Sequence, residues 1–339
     1  MEPVASVVVL NFNGRRWLSG CLGALAAQRD APPFETIVVD NASSDGSVDE
    51  IRASWPDVRL VPLASNVGFA AGNNAGARGA RGDWLVFLNN DTRAEPDWLA
   101  RLFAAASEYS GCDLIASRLV FMDDPSVIDS AGDGYLRAGG AFKHGHGAPA
   151  EAFASPREVF GACGGAFMIR RAAFEALGGF DPRFFMNYED VDLSYRARLR
   201  GMRTWYAADA IVRHAGGASL GVVSPAAVFY GQRNLEWTWI KNTPRGLLGR
   251  TAFAHICYSL AGIAHYIRIG RGGPVLRAKW AALRTLPAVL ADRRRVQQTA
   301  TVPMRDLERL MEPRWLAAKR REKAFASTRR SKPAGPPID

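Results

Sequence analysis

Ala5-Ser6-Val7-Val8-Val9-Leu10-Asn11-Phe12-Asn13 begins with a short, β-branched apolar run and passes abruptly into polar residues. A run this brief and continuous is the mark of a strand buried in a parallel sheet. Leu18, Leu22 and Leu25, with Trp17 and Cys21 beside them, then supply a helical stripe. Residues 36–39 (TIVV) repeat the buried strand and stop at Asp40-Asn41, ahead of a helical stretch at 48–55. Further strands are read at 58–62, 84–88 (WLVFL) and 112–117, with helices at 70–81 and from Pro96 to about Tyr109. Strand and helix alternate, which predicts an α/β sheet with parallel strands.

Beyond Phe121 the pattern blurs. Gly, Ala, His and Pro dominate 121–156, which reads as a long loop or flap. Order returns at 159–170, followed by helices at 171–177 and 190–200, short strands at 204–206 and 210–213, and helices from Phe229 onward.

Composition narrows the class. The 339 residues are 48% hydrophobic and 22% charged, within the globular range, and long enough to bury a core without disulfide or metal staples. Cys21, Cys112, Cys163 and Cys257 are far apart and form no C-x-x-C pair, so they read as reduced, mostly buried thiols. No basic segment followed by an apolar stretch opens the chain, so a cytoplasmic protein is expected. Net charge is +10, unevenly placed: from Pro244 onward 20 Lys and Arg face 6 Asp and Glu, a net of +14, whereas the first 243 residues carry −4. A mildly acidic body with a strongly basic end implies an anionic partner for that end, membrane or nucleic acid.

Ligands of open α/β sheets bind outside the carboxyl ends of the strands. Three successive strands end here in polar clusters: Asn11-Phe12-Asn13, Asp40-Asn41-Ala42-Ser43 and Asn89-Asn90-Asp91. Such residues are ordinary in turns, yet three endings of one kind indicate a shared polar crevice. The glycines at 68, 72 and 76 follow a G-x-x-x-G-x-x-x-G spacing in place of the dinucleotide fingerprint, and no Walker A sequence occurs, which excludes the usual nicotinamide and P-loop chemistries. Asp91 is a candidate ligand for a hard divalent cation. Glu189-Asp190-Val191-Asp192 places three acids in a first helical turn directly after the aromatic run at 184–188, where an Asp could serve as general base. His214, just before Ala215-Gly216-Gly217, is placed to meet an anion or metal.

Taken in order, these segments resemble a family 2 glycosyltransferase of the GT-A fold. The carriers are the Asn-Phe-Asn ending, Val38 to Ser47, Asn66-Val67-Gly68-Phe69-Ala70, Gly72 to Gly76, Leu88-Asn89-Asn90-Asp91, Gly161 to Phe167, and Phe180-Asp181 with Phe184 to Leu193. The likeness covers about residues 4–240 and is nearest in flavour to the rhamnosyltransferase-like subgroup that builds cell-surface polysaccharides. It implies a Rossmann-like, mostly parallel sheet with helices on both faces. It also implies a nucleotide-sugar site of Asn11, Asn13, Asp40, Asn41, Asn66, Gly68, Phe69, Asn73, Asn90, Gly164, Gly165 and Glu189. Within that site Asp40 would hold a pyrimidine base and Asn66, Gly68 and Phe69 a loop beneath the nucleotide. Asp91 matches the last aspartate of D-x-D and would bind Mg²⁺ or Mn²⁺ with His214 nearby; the two preceding positions are Asn89 and Asn90, leaving one carboxylate where many relatives have two. Asp190 matches the catalytic base of an inverting transfer from a dTDP- or UDP-sugar, rhamnose first, to a lipid-linked or polysaccharide acceptor. The competing readings are a nucleotide-sugar-binding protein without turnover and a nucleic-acid-binding protein that uses the basic end.

Residues 251–267 contain no Asp, Glu, Lys or Arg, but at 17 residues they sit at the low edge of bilayer-spanning length. A packed or interfacial helix is expected. Trp280, Leu283, Leu286 and Leu290 among Arg277, Lys279, Arg284 and Arg293-Arg294-Arg295 make a basic amphipathic pattern suited to an anionic membrane surface. Base-reading modules are lacking, which disfavours nucleic acid. The expected organisation is a transferase domain at 1–240, a basic helical extension at 241–323 that associates with the inner face of the cell membrane, and a disordered tail at 324–339.

Overall fold

A computed structural model describes residues 2–216 and 223–321; the tail expected at 324–339 lies outside them. The chain opens with β1 (Ala5–Asn11), α1 (Arg15–Ala26), β2 (Phe34–Asp40), α2 (Ser47–Ser54), β3 (Arg59–Pro62), α3 (Gly68–Arg78) and β4 (Trp84–Asn89). After β5 (Thr92–Ala94) and α4 (Trp98–Glu108) come β6 (Cys112–Phe121), β7 (Ile128–Ser130), β8 (Asp133–Leu136), β9 (Ala141–Lys143), β10 (Arg157–Val159) and β11 (Ala166–Arg170). Then follow α5 (Arg171–Ala176), α6 (Glu189–Leu199) and β12 (Arg203–His214). The remainder is helical: α7 (Pro225–Asn242), α8 (Arg245–Arg268), α9 (Gly272–Arg284), α10 (Leu286–Gln298) and α11 (Met304–Arg309), with β13 at Met311–Glu312.

The main sheet runs β10-β12-β6-β11-β4-β1-β2-β3, with β5 on β12 and β7 on β6. The strands β3, β2, β1 and β4 are mutually parallel, and β12 is parallel to β6; β11 enters antiparallel between β4 and β6. Alternate residues of each central strand face opposite cores, as the two-residue pleat requires. Val7, Val9, Val38 and Val86 pack with Leu18, Leu22 and Leu25 of α1 and with Trp98, Leu99 and Leu102 of α4. Val8, Ile37, Val39 and Phe87 pack against Ala70 and Ala77 of α3, Phe174 of α5 and Leu193 of α6. Helices therefore cover both faces, which is why the strands read as unbroken apolar runs. Cys21, Cys112 and Cys163 are buried free thiols and Cys257 is half-buried.

Two expectations are corrected. The stretch 121–156 is not a plain loop: β8 and β9 form a small second sheet with β13, and β7 joins the main one. Strands of three or four residues are too short to display a period. The two late strands are one, β12, whose register slips between Ala207 and Ile211. That irregularity breaks the alternation on which the reading depended.

The C-terminal helices share core with the body. Leu247 of α8, Leu307 of α11 and Met311 of β13 are buried together with Tyr135, Phe160 and Tyr195. Glu236 of α7 sits between them, accepting from Ser259 (2.9 Å) and Lys279 (2.5 Å) and meeting His255 Nε2 at 2.7 Å.

Candidate active site

Parallel register aligns the polar strand ends. Asn11 pairs with Asp40, and Leu10 with Asn89, so the three clusters meet at one edge of the sheet. Behind that edge the side chains interlock. Asn90 Nδ2 donates to Asn11 Oδ1 (2.8 Å), and Asn11 Nδ2 donates to Asp40 Oδ1 (3.1 Å) and Ser43 Oγ (3.2 Å). Asp40 Oδ2 also accepts from the Ser43 N–H. Asn41 forms a second lattice: its Nδ2 donates to Asn66 Oδ1 (2.9 Å) and its Oδ1 accepts from the Val67 N–H (2.9 Å).

A cavity of about 1160 Å³ opens over this edge. Asn41, Asn66, Gly68, Phe69, Asn90, Asp91, Gly164, Gly165, Glu189, Asp190 and His214 all line it. Asn11, Asn13, Asp40 and Asn73 do not. Asn11 is buried one hydrogen bond behind the wall, through Asn90, and Asp40 a second bond behind Asn11; Asn13 is exposed and caps the 43–44 turn, accepting from the Ser44 N–H; Asn73 is buried and bonded to the Phe69 carbonyl within α3. Sequence reasoning missed Phe12, Asp133, Lys143, Phe185 and Tyr188, which also line the cavity. The aromatic run at 184–188 was the available signal for two of them. Asp133 and Lys143 belong to the short strands, where no periodicity marked them.

Asp190 is the second residue of α6, directly after a tightly held turn. Phe185, Asn187 and Tyr188 adopt left-handed φ of 62°, 64° and 73°, conformations that cost a non-glycine residue on the order of 1 kcal/mol or more each. What offsets them is Asn234 of α7, fully buried, whose Nδ2 lies 2.8, 2.9 and 2.7 Å from the carbonyl oxygens of Phe184, Met186 and Asn187. Gly68 closes on the same turn from the other side. Its φ is +83°, and a Cβ there would stand 2.5 Å from the Phe185 carbonyl.

The Asp190 carboxylate is fixed by two backbone donors, Gly164 N–H to Oδ2 (2.7 Å) and Val191 N–H to Oδ1 (2.8 Å). Burial pushes its carboxyl above the usual range, while those donors and Lys143 pull it back. Glu189 is raised much further, by burial and then by the adjacent Asp190 charge. The two neighbours are thus differentiated: Asp190 carries the smaller upward shift, because backbone donors favour its ionised form.

Also lining the cavity, His214 has its Nε2 3.3 Å from Asp91 Oδ1 and its Nδ1 2.7 Å from Asp129 Oδ2. Burial lowers the imidazole's affinity for a proton, but hydrogen bonds to Asp129 and Asp91 overcome it and hold the ring at about 9. Lys143 anchors Asp129 from 2.9 Å on each oxygen. Asp91 offers the cavity a carboxylate oxygen, the donor type a hard divalent cation takes, and His214 Nε2 could join it only on giving up the proton it shares with Asp91. Atoms of Asp133, Cys163 and Asp190 lie within 4.8 Å of one another.

The far half of the cavity is built by Tyr258, Gly262 and His265 of α8, with Trp315, Leu316 and Lys319 beyond β13. A polar sheet edge therefore faces a largely aromatic and helical wall.

Residues 6–178 match the family described as "Glycosyl transferase family 2". The chain belongs to that family. This glycosyltransferase is 29% identical over 237 residues to the N-acetylglucosaminyl-diphospho-decaprenol L-rhamnosyltransferase of Mycobacterium tuberculosis, covering 63% of its own length and 76% of the relative. It is 30% identical over 215 residues to the O-antigen biosynthesis protein RfbC of Myxococcus xanthus, covering 59% of itself and 16% of that protein. Among solved structures it resembles the mannosyltransferase PcManGT of Pyrobaculum calidifontis, in complex with GDP-Man and Mn²⁺, with a TM-score of 0.55, 19% identity and coverage of 96% and 83%. The S. aureus TarS fragment 1–349 in complex with UDP-GlcNAc gives a TM-score of 0.57, 16% identity and coverage of 91% and 89%. These likenesses establish that the glycosyltransferase has the GT-A fold.

Proposed function

We propose that the chain is an inverting transferase that moves a sugar, rhamnose from dTDP-rhamnose first, onto a lipid-linked acceptor during cell-surface glycan synthesis. The observation that carries the reading is that Asp91 and Asp190 line one cavity whose far wall comes from the C-terminal helices. The nucleotide lies over Asn41, Asn66 and Gly68, with Asp40 and Asn11 stiffening the edge from behind. Asp190 accepts the proton of an acceptor hydroxyl as its oxygen bonds the anomeric carbon on the face away from the nucleotide. The bond from that carbon to the diphosphate breaks, its electron pair leaves with the nucleoside diphosphate, and configuration inverts. Asp91 and His214 would hold a divalent cation, which when bound offsets charge on the diphosphate.

The membrane is the proposed location. α8 is long and apolar enough by length and composition to cross a bilayer, yet one side lines the cavity and holds His255 against Glu236. Its other side exposes Phe253 (79%), Ile256 and Leu260, and α9 adds Trp280 (60%) and Leu283. Arg268, Arg277, Arg284 and Arg294 are exposed around this apolar surface. A helix with one side engaged by protein and the other apolar lies in the headgroup region, and each cation near anionic lipid adds about 1 kcal/mol.

The test is incubation with dTDP-rhamnose, UDP-GlcNAc or GDP-mannose, Mn²⁺ and an N-acetylglucosaminyl-diphosphoryl lipid. Rhamnosyl product of inverted configuration is expected; absence of product and of nucleotide release with every donor refutes the reading.

A further inference from the structure

Two buried carboxylate oxygens of the cavity lining have no hydrogen-bond partner among the described residues, Glu189 Oε2 and Asp133 Oδ1, and the Asp133 carboxyl is grouped with Cys163 and Asp190. Asp133, the first residue of β8, is 6% exposed, and its Oδ1 is buried without a hydrogen bond. A buried carboxylate oxygen without a donor is costly, and few persist in folded proteins unless a ligand or function accounts for them. Its place is set by the backbone. Asp133 and Gly161 exchange two hydrogen bonds, Asp133 N–H to Gly161 O (2.8 Å) and Gly161 N–H to Asp133 O (3.0 Å). This ladder sets the side chain beside Cys163 and Asp190, within 4.8 Å. Lys143, on the same wall, is committed to Asp129. The two carboxylates therefore differ: Asp190 is fixed by backbone N–H groups, and Asp133 Oδ1 has no donor among the described residues.

Two carboxyl groups at this spacing can engage two donors on one molecule, and adjacent hydroxyls of a sugar ring present two such groups side by side. We propose that Asp133 hydrogen-bonds the hydroxyl adjacent to the one Asp190 activates, so that the pair selects a vicinal diol on the acceptor sugar and decides which hydroxyl attacks. The assignment rests on the transferase reading above. Acceptor rather than donor is chosen because the reading above gives Asp190 the acceptor hydroxyl and the Asp133 carboxyl lies within 4.8 Å of it. Burial, reinforced by the Asp190 charge, raises the Asp133 carboxyl well above the usual range, so it can donate to a hydroxyl as well as accept from one.

The experiment compares kcat/KM of the full chain for two N-acetylglucosaminyl-diphosphoryl lipids, the parent and an analogue lacking the hydroxyl next to the glycosylated one. The wild type should prefer the parent by about 100-fold or more, as a site built to bond a hydroxyl does. Asp133→Asn and Asp133→Ser should each collapse that preference to a few-fold. A purely structural role would lower both acceptors together and leave the ratio intact, so an unchanged ratio in a folded variant overturns the proposal. Equal use of both acceptors by the wild type overturns it without any variant, as does a shift in preference confined to deoxy donors. If the wild type transfers nothing from any donor, the underlying reading falls as well, and that outcome is separable because it is seen before any variant is made.

Discussion

At the scale of single residues the site works by withholding freedom from a carboxylate. Asp190 has both oxygens tied to backbone N–H groups, so its remaining lone pairs point in fixed directions. Asp190→Asn keeps shape and removes basicity; transfer should fall by at least about 1000-fold while nucleotide affinity, measured by calorimetry, changes by a few-fold at most. Gly164 tests the geometry itself. A Cβ there would stand 2.9 Å from Asp190 Oδ2, so Gly164→Ala should displace the carboxylate and cost about 10- to 100-fold in kcat. Asp190 and Asp91 were legible because each closes a motif with strong local character. Asp133 and Asp129 were not, because their significance comes from neighbours distant in sequence, Gly161 and His214, which only the folded sheet brings alongside.

At the scale of elements, α7 and α3 grip the turn that delivers Asp190. Removing the Asn234 amide strips the shared donor from three carbonyls. Asn234→Ala should cost about 1–3 kcal/mol of stability, read as a lowered melting temperature, and should depress kcat more than it raises KM. Helices and buried strands could be read from composition, but not this grip: Asn234 lies in a helix with no striking apolar face, and its partners are carbonyl oxygens, which sequence does not distinguish. The α7–α8–α9 junction makes a pH prediction. Burial alone would raise the Glu236 carboxyl, but His255 and Lys279 hold it down at about 2, against an ordinary 4.5. Its folded value is below its unfolded value, so its stabilisation is complete above about pH 4.5 and is lost as pH falls toward 2. Acid unfolding of the wild type should steepen in that window by about 3 kcal/mol, and Glu236→Gln should flatten it.

At the scale of the whole molecule, the alternating α/β plan was readable from residue 5 onward, because buried strands repeat one unmistakable pattern. How the C-terminal helices dock was not, since that depends on Tyr135 and Tyr195 meeting Leu247 and Met311 across long sequence separations. Docking gives α8 two unlike sides, one facing the reaction cavity and one bare and greasy. Flotation with vesicles containing anionic lipid should recover the wild type, and Phe253→Ser with Leu260→Ser should reduce recovery by about 10-fold or more. A helix so disposed joins two solvents through its own thickness. In the proposed location an acceptor with a long hydrocarbon tail would not have to leave its layer to be glycosylated; it would diffuse sideways until its head slid under α8. Turnover should then follow the mole fraction of acceptor within that layer, so diluting it with inert lipid at constant total amount should slow the enzyme as surely as withholding substrate.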